Sequence, residues 1–304
     1  MDDGTDDIKI RIDGLVKDYG NGRGVFGITI DIRKGEVYGY LGPNGAGKST
    51  TMRHLMGFNR ADSGSVSISG FDCWTQQEDI KRIVGYLPGE ISLPSDMTGL
   101  SYLRLIADMR EMTSFSYAEE LLKRFKIDPD TPIKRMSKGM KQKIAIVSAF
   151  MHDPEIILLD EPSSGLDPLM QEILVDLIKE EKNKGKTILL SSHIFDEVYK
   201  VCDRVGILKE GHLIKETEMS ELKHYSTKTF RIGFSDQESF DTFTQRFDCR
   251  TDADRLEAIV SFNDDSTNDV IAALSQCKVK FISEKKFTLE DYFMRYYGGD
   301  TVAD

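Results

Sequence analysis

A glycine-rich segment constrains this chain more than any other feature. It fits the pattern G-x-x-x-x-G-K-[ST] at every fixed position and reads Gly42-Pro43-Asn44-Gly45-Ala46-Gly47-Lys48-Ser49-Thr50. A strand-like run from Glu36 to Leu41 precedes it, and a helix-like run from Thr51 to Met56 follows it. Between a strand and a helix, such glycines let successive backbone N–H groups point inward and form an anion site at the helix N-terminus. The segment therefore predicts a phosphate-binding loop within an α/β fold.

Two side chains of this loop have chemical roles of their own. Lys48 is placed to reach the β- and γ-phosphates of a bound nucleoside triphosphate, and the Ser49 hydroxyl is placed to ligate Mg²⁺. The alternative is a chance glycine-rich turn, which the complete match and the strand–loop–helix context disfavour. We predict that the chain binds a nucleoside triphosphate.

The composition narrows the class of protein further. The 304 residues suggest about two domains of ~150 residues. The longest apolar stretch, Ile144 to Met151, is far short of the ~18 residues of a membrane span. The acidic segment from Met1 to Asp7 has no apolar core, so it is not expected to be a signal peptide. We therefore expect a cytosolic chain unless a partner holds it at a membrane.

The net charge argues against a nucleic-acid partner, and the cysteine spacing argues against disulfides or a metal site. The net charge of −11 argues against binding along the phosphate backbone of a nucleic acid, which needs clustered cations. No two cysteines form a C-x-x-C pair, so disulfides or a metal site are less expected than reduced, mostly buried thiols. The four cysteines are Cys73, Cys202, Cys249 and Cys277.

Hydrophobic periodicity divides the chain into regions. Isoleucines alternate with polar residues at positions 8–12 and 28–32, and Val66 and Ile68 repeat this spacing before Gly70, which predicts antiparallel strands with one buried face. Residues 97–151 have helical spacing. Two apolar runs, Ile156 to Leu159 and Thr187 to Leu190, are short enough for buried parallel strands, and a helix-like segment from Gln171 to Asn183 separates them.

A new rhythm begins after a break near residues 223–228 and predicts a second domain. Its elements follow the order β-α-β-β-α-β if Cys249 to Asp252 forms a short edge strand, which is a ferredoxin-like α+β arrangement. Thr288 to Asp291 offers a capping box for a last helix through Tyr297. We predict domains at residues 1–224 and 225–304.

Two acids follow the first buried strand. An apolar strand that ends in Asp160 brings that carboxylate beside the Mg²⁺ shell of a phosphate-loop enzyme. The adjacent Glu161 is then placed to orient and deprotonate an attacking water, which is a general-base role. Paired acids on a loop usually indicate only solvation, but this pair ends a buried strand in a chain that already has the phosphate loop. The pair therefore predicts a hydrolase.

A basic segment precedes the helix that contains the longest apolar stretch. Residues 134–143 contain five cations within an acidic chain. Positive charge at a helix N-terminus opposes the helix dipole at a cost of ~0.3–1 kcal/mol per charge. The segment is either a solvated basic turn or the docking site of an anion.

The same segment carries a resemblance to a known family. Met136-Ser137-Lys138-Gly139-Met140 resembles the signature of the ATP-binding-cassette (ABC) ATPases and lies between the two phosphate motifs, as it does there. Further matches resemble the adenine-stacking aromatic, the D-loop and the switch histidine of that family. They are, in this order, Tyr19, Ser164-Gly165-Leu166-Asp167 and Ser191-Ser192-His193. The resemblance covers residues 8 to about 222.

The resemblance implies a fold, cofactors and a dimer. The fold is a P-loop NTPase cassette with a RecA-like core, an antiparallel β subdomain and a helical subdomain at about 90–150, and the cofactors are ATP and Mg²⁺. Glu161, His193 and Lys48 would be catalytic, and Tyr19 would contact the nucleotide. Two cassettes would meet head to tail, so that some residues contact the nucleotide of the other copy. These would be Ser137, Lys138, Gly139, Met140 and Asp167.

Two positions depart from the family pattern. Lys138 replaces a signature glycine, and Gly89 replaces a glutamine that normally contacts Mg²⁺ or water and relays the nucleotide state to a membrane partner. Glu90 is the substitute that the sequence offers. It would act either at the metal or, as we prefer, toward the permease with Gly89 as a hinge, because a third carboxylate would crowd Asp160 and Glu161.

The variant at Gly89, the added C-terminal domain and the closing residues 292–298 resemble bacterial drug, antibiotic and bacteriocin-immunity exporters. The resemblance implies a subunit at the cytoplasmic face of the membrane, with a permease on a separate chain, a second ATP-binding subunit in a homodimer or heterodimer, and no nucleic acid. Two alternatives stay open: an ABC protein that works on DNA or the ribosome, and a regulatory cassette that does not hydrolyse ATP. The first usually has two cassettes or long inserts, and Glu161 with His193 argues against the second.

Overall fold

The computed structural model describes residues 7–224, 228–262 and 266–285. The chain divides into two compact units, with the boundary between Met219 and Ser220. The helix predicted from Thr288 and the acidic start at residues 1–6 lie outside the described residues. Each unit is described by itself below.

The first unit has ten strands and eight helices in its described part, the last helix crossing the boundary. The strands are β1 (Ile8–Asp18), β2 (Gly24–Arg33), β3 (Val37–Leu41), β4 (Ser63–Ile68), β5 (Phe71–Asp72), β6 (Val84–Leu87), β7 (Ile156–Asp160), β8 (Thr187–Ser192), β9 (Arg204–Lys209) and β10 (His212–Glu218). The helices are α1 (Lys48–Leu55), α2 (Gln77–Ile83), α3 (Gly99–Met109), α4 (Ser116–Arg124), α5 (Lys138–Phe150), α6 (Pro168–Asn183), α7 (Phe195–Val201) and α8 (Met219–His224).

Two sheets organise this unit. One is antiparallel, in the order β2-β1-β4-β5, and buries the isoleucines that alternate along β1 and β2, as the sequence predicts. The other has six strands in the order β10-β9-β3-β8-β7-β6. Within it β3, β6, β7, β8 and β9 pair in parallel, and only β10 runs antiparallel to its neighbour.

Three of the parallel strands are buried along their whole length, and two of these, β7 and β8, are the buried strands that the sequence predicts. Every residue of β3, β7 and β8 is buried, which explains why these segments are continuous apolar runs up to their last residues. Because β3 pairs with β8 and β8 with β7, their carboxyl ends lie at one edge of the sheet. The phosphate loop follows β3 and the acid pair ends β7, so the fold brings the two motifs together.

A helical segment interrupts the sheet order between β6 and β7. It contains α3, α4 and α5 and matches the predicted helical region. Thr98 caps α3 by accepting a hydrogen bond from the Ser101 amide, and Ser137 caps α5 by accepting one from the Met140 amide. Both helices therefore begin at a residue that satisfies a free backbone donor.

The structure differs from the sequence prediction at two places. The helix after the phosphate loop begins at Lys48 rather than near Thr51, because the last residues of the loop already form its first turn. The cysteines are free, as expected, but only Cys73 and Cys202 are buried. No helix in the described ranges is both long and apolar enough to cross a membrane.

The second unit contains an antiparallel sheet with helices between its strands. Its described elements are β11 (Lys228–Phe234), α9 (Gln237–Arg246), β12 (Cys249–Asp252), β13 (Glu257–Phe262), α10 (Thr267–Leu274) and β14 (Val279–Lys285). The strand order is β12-β13-β11-β14. Aromatic side chains, among them Phe234, Phe240 and Phe243, dominate its core and pack ring against ring.

Candidate nucleotide site

The phosphate loop lines a cavity of about 520 Å³. A cavity of this size is within the usual range for a small-molecule site. Its lining comprises Tyr19, Arg23, Gly24, Pro43, Asn44, Gly45, Ala46, Gly47, Lys48, Ser49, Thr50 and Glu161. The structure thus brings together the predicted aromatic, the loop and the second acid, which come from three separate parts of the sequence.

The loop requires glycine at position 47. Gly47 has a φ of 108°, where side chains are strained. A Cβ atom there would also lie 2.7 Å from Cγ1 of Val25 and 3.2 Å from the carbonyl oxygen of Gly24. Any side chain would therefore push the loop away from β2 and change the shape of the cavity.

Lys48 is buried and held by the loop itself. Its ammonium donates hydrogen bonds to the carbonyl oxygens of Gly42, at 2.6 Å, and Pro43, at 3.2 Å. The same Nζ atom lies 3.0 Å from Oε1 of Glu161. This arrangement fixes one positive charge at the centre of the loop, next to the carboxylate that follows β7.

Glu161 lies between the ammonium group of Lys48 and the imidazole of His193. Its Oε2 atom is 2.5 Å from Nδ1 of His193, and its backbone N–H donates to both the carbonyl oxygen and the hydroxyl of Ser191. The residue has a φ of 50°, a left-handed conformation that is strained for a glutamate. Oε1 is buried and accepts no aligned hydrogen bond, and its contact is the ion pair with Lys48. Both carboxylate oxygens are thus held by a neighbouring side chain.

Asp160 is buried beneath this pair. The Ser191 hydroxyl donates to its Oδ1 atom at 2.5 Å. A Cβ atom at Gly89 would lie 3.0 Å from Oδ2, so the residue at position 89 packs directly against this carboxylate. Burial, with the Asp160 carboxylate adding to its effect, raises the pKa of the neighbouring Tyr86 phenol to about 12.

Ser49 and Asp160 fit a magnesium ion by their chemistry. A hydroxyl and a carboxylate are the hard oxygen ligands that Mg²⁺ prefers, and Mg²⁺ in nucleotide sites takes its other ligands from phosphates and water. No group of three or more histidine, cysteine, aspartate or glutamate side chains within the described ranges could hold a metal alone. The donor set suits an ion that arrives with a nucleotide.

The signature residues lie elsewhere and contact their own D-loop. Lys138 Nζ donates to the Ser164 hydroxyl at 3.1 Å, and a Cβ atom at Gly139 would lie 2.6 Å from the carbonyl oxygen of Gly165. The exposed Lys138 side chain is thus hydrogen-bonded within its own chain. None of the predicted trans contacts, Ser137, Lys138, Gly139, Met140 and Asp167, lines the cavity of this chain.

Two other predicted residues are exposed. The Tyr19 side chain is 53% exposed, and its hydroxyl accepts a hydrogen bond from the Asn59 amide at 2.9 Å. Its ring lies at the edge of the cavity, with the Lys17 Nζ atom 5.8 Å from the ring centroid. The Glu90 side chain is exposed as well, next to Gly89.

Sequence reasoning missed several residues around the site. Arg23 and Gly24 line the cavity, and the only signal for them is their place after the turn at Gly20 to Gly22. Gln142 is buried and donates to the Pro162 carbonyl oxygen at 2.7 Å. Glu197 is buried below the acid pair and had no sequence signal, because its partners are distant in the chain.

Comparison with known proteins gives the family. Residues 25–164 match the ABC transporter family model. The chain is 30% identical to the bacitracin transport ATP-binding protein BcrA of Bacillus licheniformis, over 97% of this chain and 99% of that protein. The chain belongs to the ABC transporter ATP-binding proteins. The BcrA protein of Enterococcus faecalis is 31% identical over 97% of this chain and 98% of its own length.

A solved structure agrees with this membership. The ATP-binding subunit of an ABC transporter is 32% identical and superimposes with a TM-score of 0.65 over 71% of this chain and 92% of that one. The expected cassette fold is therefore confirmed, and the chain is an ATP-hydrolysing subunit of an ABC transporter. The two BcrA proteins match nearly the whole chain, so their similarity extends into the second unit.

Proposed function

We propose that this ABC subunit hydrolyses ATP to drive export of an antibiotic, peptide or related drug through a permease on a separate chain. Two relatives that match almost its whole length are bacitracin transport ATP-binding proteins. A subunit of this kind would be held by the permease at the cytoplasmic face of the membrane. The observation that supports the hydrolytic part is the position of Glu161, whose Oε1 atom pairs with Lys48 and whose Oε2 atom contacts His193 at the edge of the phosphate cavity.

The residues of the cavity divide the binding of ATP among them. The phosphates would lie against the backbone N–H groups from Gly42 to Thr50, with Lys48 moving from its loop carbonyls toward the β- and γ-phosphates. Ser49 and Asp160 would hold Mg²⁺, which neutralises charge on the phosphates when bound. The exposed ring of Tyr19 would stack on the adenine.

Glu161 would act as the general base. Once Lys48 has moved toward the phosphates, the Oε1 atom that it now pairs with would accept a hydrogen bond from the attacking water and then its proton. His193, in contact with Oε2, orients the carboxylate from the opposite side. Such a base contributes about 10²–10⁴-fold to a rate.

A second cassette would complete each site. Ser137 and Gly139 lie at the N-terminus of α5, away from the cavity of their own chain, so they would reach the phosphates of the partner copy, with Lys138, Met140 and Asp167 beside them. The partner would be a second copy of this chain or a similar subunit. The exposed Glu90 would face the permease, while Gly89 stays against Asp160.

Replacement of the base tests this proposal. Glu161→Gln keeps the size of the side chain but is a poor base, so we expect ATP to bind while turnover falls ~10²–10⁴-fold. The variant should also accumulate as an ATP-bound dimer, measured by size-exclusion chromatography with ATP. Glu172→Gln, which changes an exposed glutamate paired with Lys200 on α7, is the matched control. Near wild-type hydrolysis by the Glu161 variant would contradict the assignment.

A further inference from the structure

Beneath the acid pair, one buried carboxylate joins two segments of the site. Glu197 lies on α7, and its Oε1 atom accepts a hydrogen bond from the Ser163 hydroxyl at 2.5 Å. Its Oε2 atom accepts one from the Ser192 hydroxyl at 2.9 Å. Ser163 is two residues after Glu161, and Ser192 immediately precedes His193. The carboxylate therefore bridges the turn that carries the base and the strand end that carries the histidine.

Both segments lie just beyond the ends of their strands, so regular strand pairing does not continue through them. Glu161 has left β7 with a positive φ, and His193 follows the last residue of β8. A strained conformation persists only where the surroundings fix it. The turn is fixed from below by Glu197 through Ser163, from β8 by Ser191, and from α5 by Gln142 through the Pro162 carbonyl.

The environment of Glu197 makes these hydrogen bonds specific. The side chain is 5% exposed, and each of its oxygens accepts from one serine. Burial raises the pKa of the Glu197 carboxyl, and the nearby Glu161 carboxylate raises it further. A buried carboxylate of this kind is costly unless hydrogen-bonded, so both serines are held firmly to it.

We propose that Glu197 is a positioning residue that fixes the distance between Glu161 and His193 during ATP hydrolysis. It does not touch the nucleotide cavity, and it acts through Ser163 and Ser192. The inference rests on the proposed roles of Glu161 and His193. It extends them to a residue that lies outside the cavity and that the sequence motifs did not indicate.

The proposal predicts an effect on turnover rather than on ATP binding. Glu197→Ala leaves the phosphate loop intact but frees both serines, so we expect kcat to fall about 10–100-fold while KM for ATP changes less than about 2-fold. Glu197→Gln can accept from one serine with its oxygen and donate to the other with its amide. We expect it to restore kcat to within about 3-fold of wild type. Steady-state ATPase assays on the full chain measure both constants.

A second buried glutamate provides the matched control. Glu181 on α6 is fully buried and held by Lys184, Lys186 and Tyr117, none of which belongs to the site. Glu181→Ala should lower the unfolding temperature as much as Glu197→Ala does but leave kcat of the folded protein unchanged. Equal losses of kcat in the two variants would mean that Glu197 has only a structural role and would overturn the proposal.

Two further measurements complete the test. If Glu197→Ala does not fold, Ser163→Ala removes one of the two bridges and should lower kcat about 3–10-fold with KM unchanged; an unchanged kcat would overturn the proposal. Glu161→Gln in the same assay tests the base assignment of Glu161 separately from the positioning role of Glu197. A large loss there with no loss in the Glu197 or Ser163 variants contradicts the positioning role alone, whereas no loss in Glu161→Gln contradicts the base assignment and the positioning role with it.

Discussion

The two compact units bury different kinds of side chain. Among the described residues, the first unit buries fourteen polar or charged side chains and the second buries one, Ser239. Several of the fourteen surround the candidate site, including Lys48, Asp160, Gln142 and Glu197. The core of the second unit consists of phenylalanine and aliphatic side chains. Burying a polar group costs free energy unless the group is hydrogen-bonded. The buried polar side chains around the candidate site are therefore better explained by function than by stability.

Ser239, the one buried polar residue in the described part of the second unit, has a structural role. The Ser239 hydroxyl accepts a hydrogen bond from the Lys278 amide at 2.9 Å and so ties α9 to the residue before β14. The candidate nucleotide site therefore belongs to the first unit, whereas apolar packing holds the described part of the second unit together. Its contribution to the transporter would therefore come from its surface.

The largest predicted effect separates the stability of the two units. Phe243→Ala removes a fully buried ring from the second core and should destabilise that unit by about 3–5 kcal/mol. Trp74, the only tryptophan, lies in the first unit, so its fluorescence reports that unit during chemical denaturation, while circular dichroism reports both. We expect an early circular-dichroism transition with an unchanged fluorescence transition.

A matched phenylalanine gives the control for this experiment. Phe281 lies in the same unit but is 37% exposed, so Phe281→Ala should cost much less. If fluorescence and circular dichroism shift together in Phe243→Ala, the two units unfold as one and the comparison fails.

A smaller effect is expected from pH, and only in the first unit. Burial lowers the pKa of His152 to about 4, with Arg110 adding to the effect. The folded state therefore binds a proton at His152 less readily than the unfolded state does. The contribution of neutral His152 to the free energy of unfolding is complete above about pH 6.5 and is lost as the pH falls toward 4. Between pH 7 and pH 5 the loss should be about 2 kcal/mol.

Fluorescence-detected denaturation at the two pH values measures this loss. His152→Gln can still donate to the Val84 carbonyl oxygen, which lies 3.3 Å from the histidine Nε2 atom, but it does not titrate. We expect the variant to lose this part of the pH dependence. Residues 228–285 contain no histidine, so the unfolding transition of this part of the second unit should not shift through histidine titration between the two pH values. An unchanged pH dependence in the variant would show that another group is responsible.

The smallest predicted effect concerns ATP binding after removal of the second unit. We predict that residues 1–224 form a domain that binds ATP without the rest, and that limited proteolysis cuts near Ser226. All lining residues of the cavity precede position 162, so KM for ATP should change less than about 2-fold in the truncated chain. Measurement of ATP affinity in both chains checks this. Loss of binding would show that the two parts share a core.

Much of the fold could be predicted because its signals are local. The alternating isoleucines of β1 and β2, the buried runs of β7 and β8 and the periodic helices between them require only spacing along the chain. The segments of α7, β9 and β10 were not predicted. The phosphate loop and the acid pair were found for the same local reason, since each is a contiguous motif at the end of a buried strand.

Short contiguous motifs were enough to identify the phosphate loop, the acid pair and the resemblance to a cassette family. The groups that surround Glu161 could be found only from the folded chain. Lys48, His193 and Ser191 approach Glu161 because parallel pairing aligns the carboxyl ends of β3, β7 and β8. Likewise the contact of Lys138 with Ser164 joins residues 26 positions apart. Hydrogen bonds depend on distances of about 3 Å and on direction, which packing fixes and spacing along a chain does not.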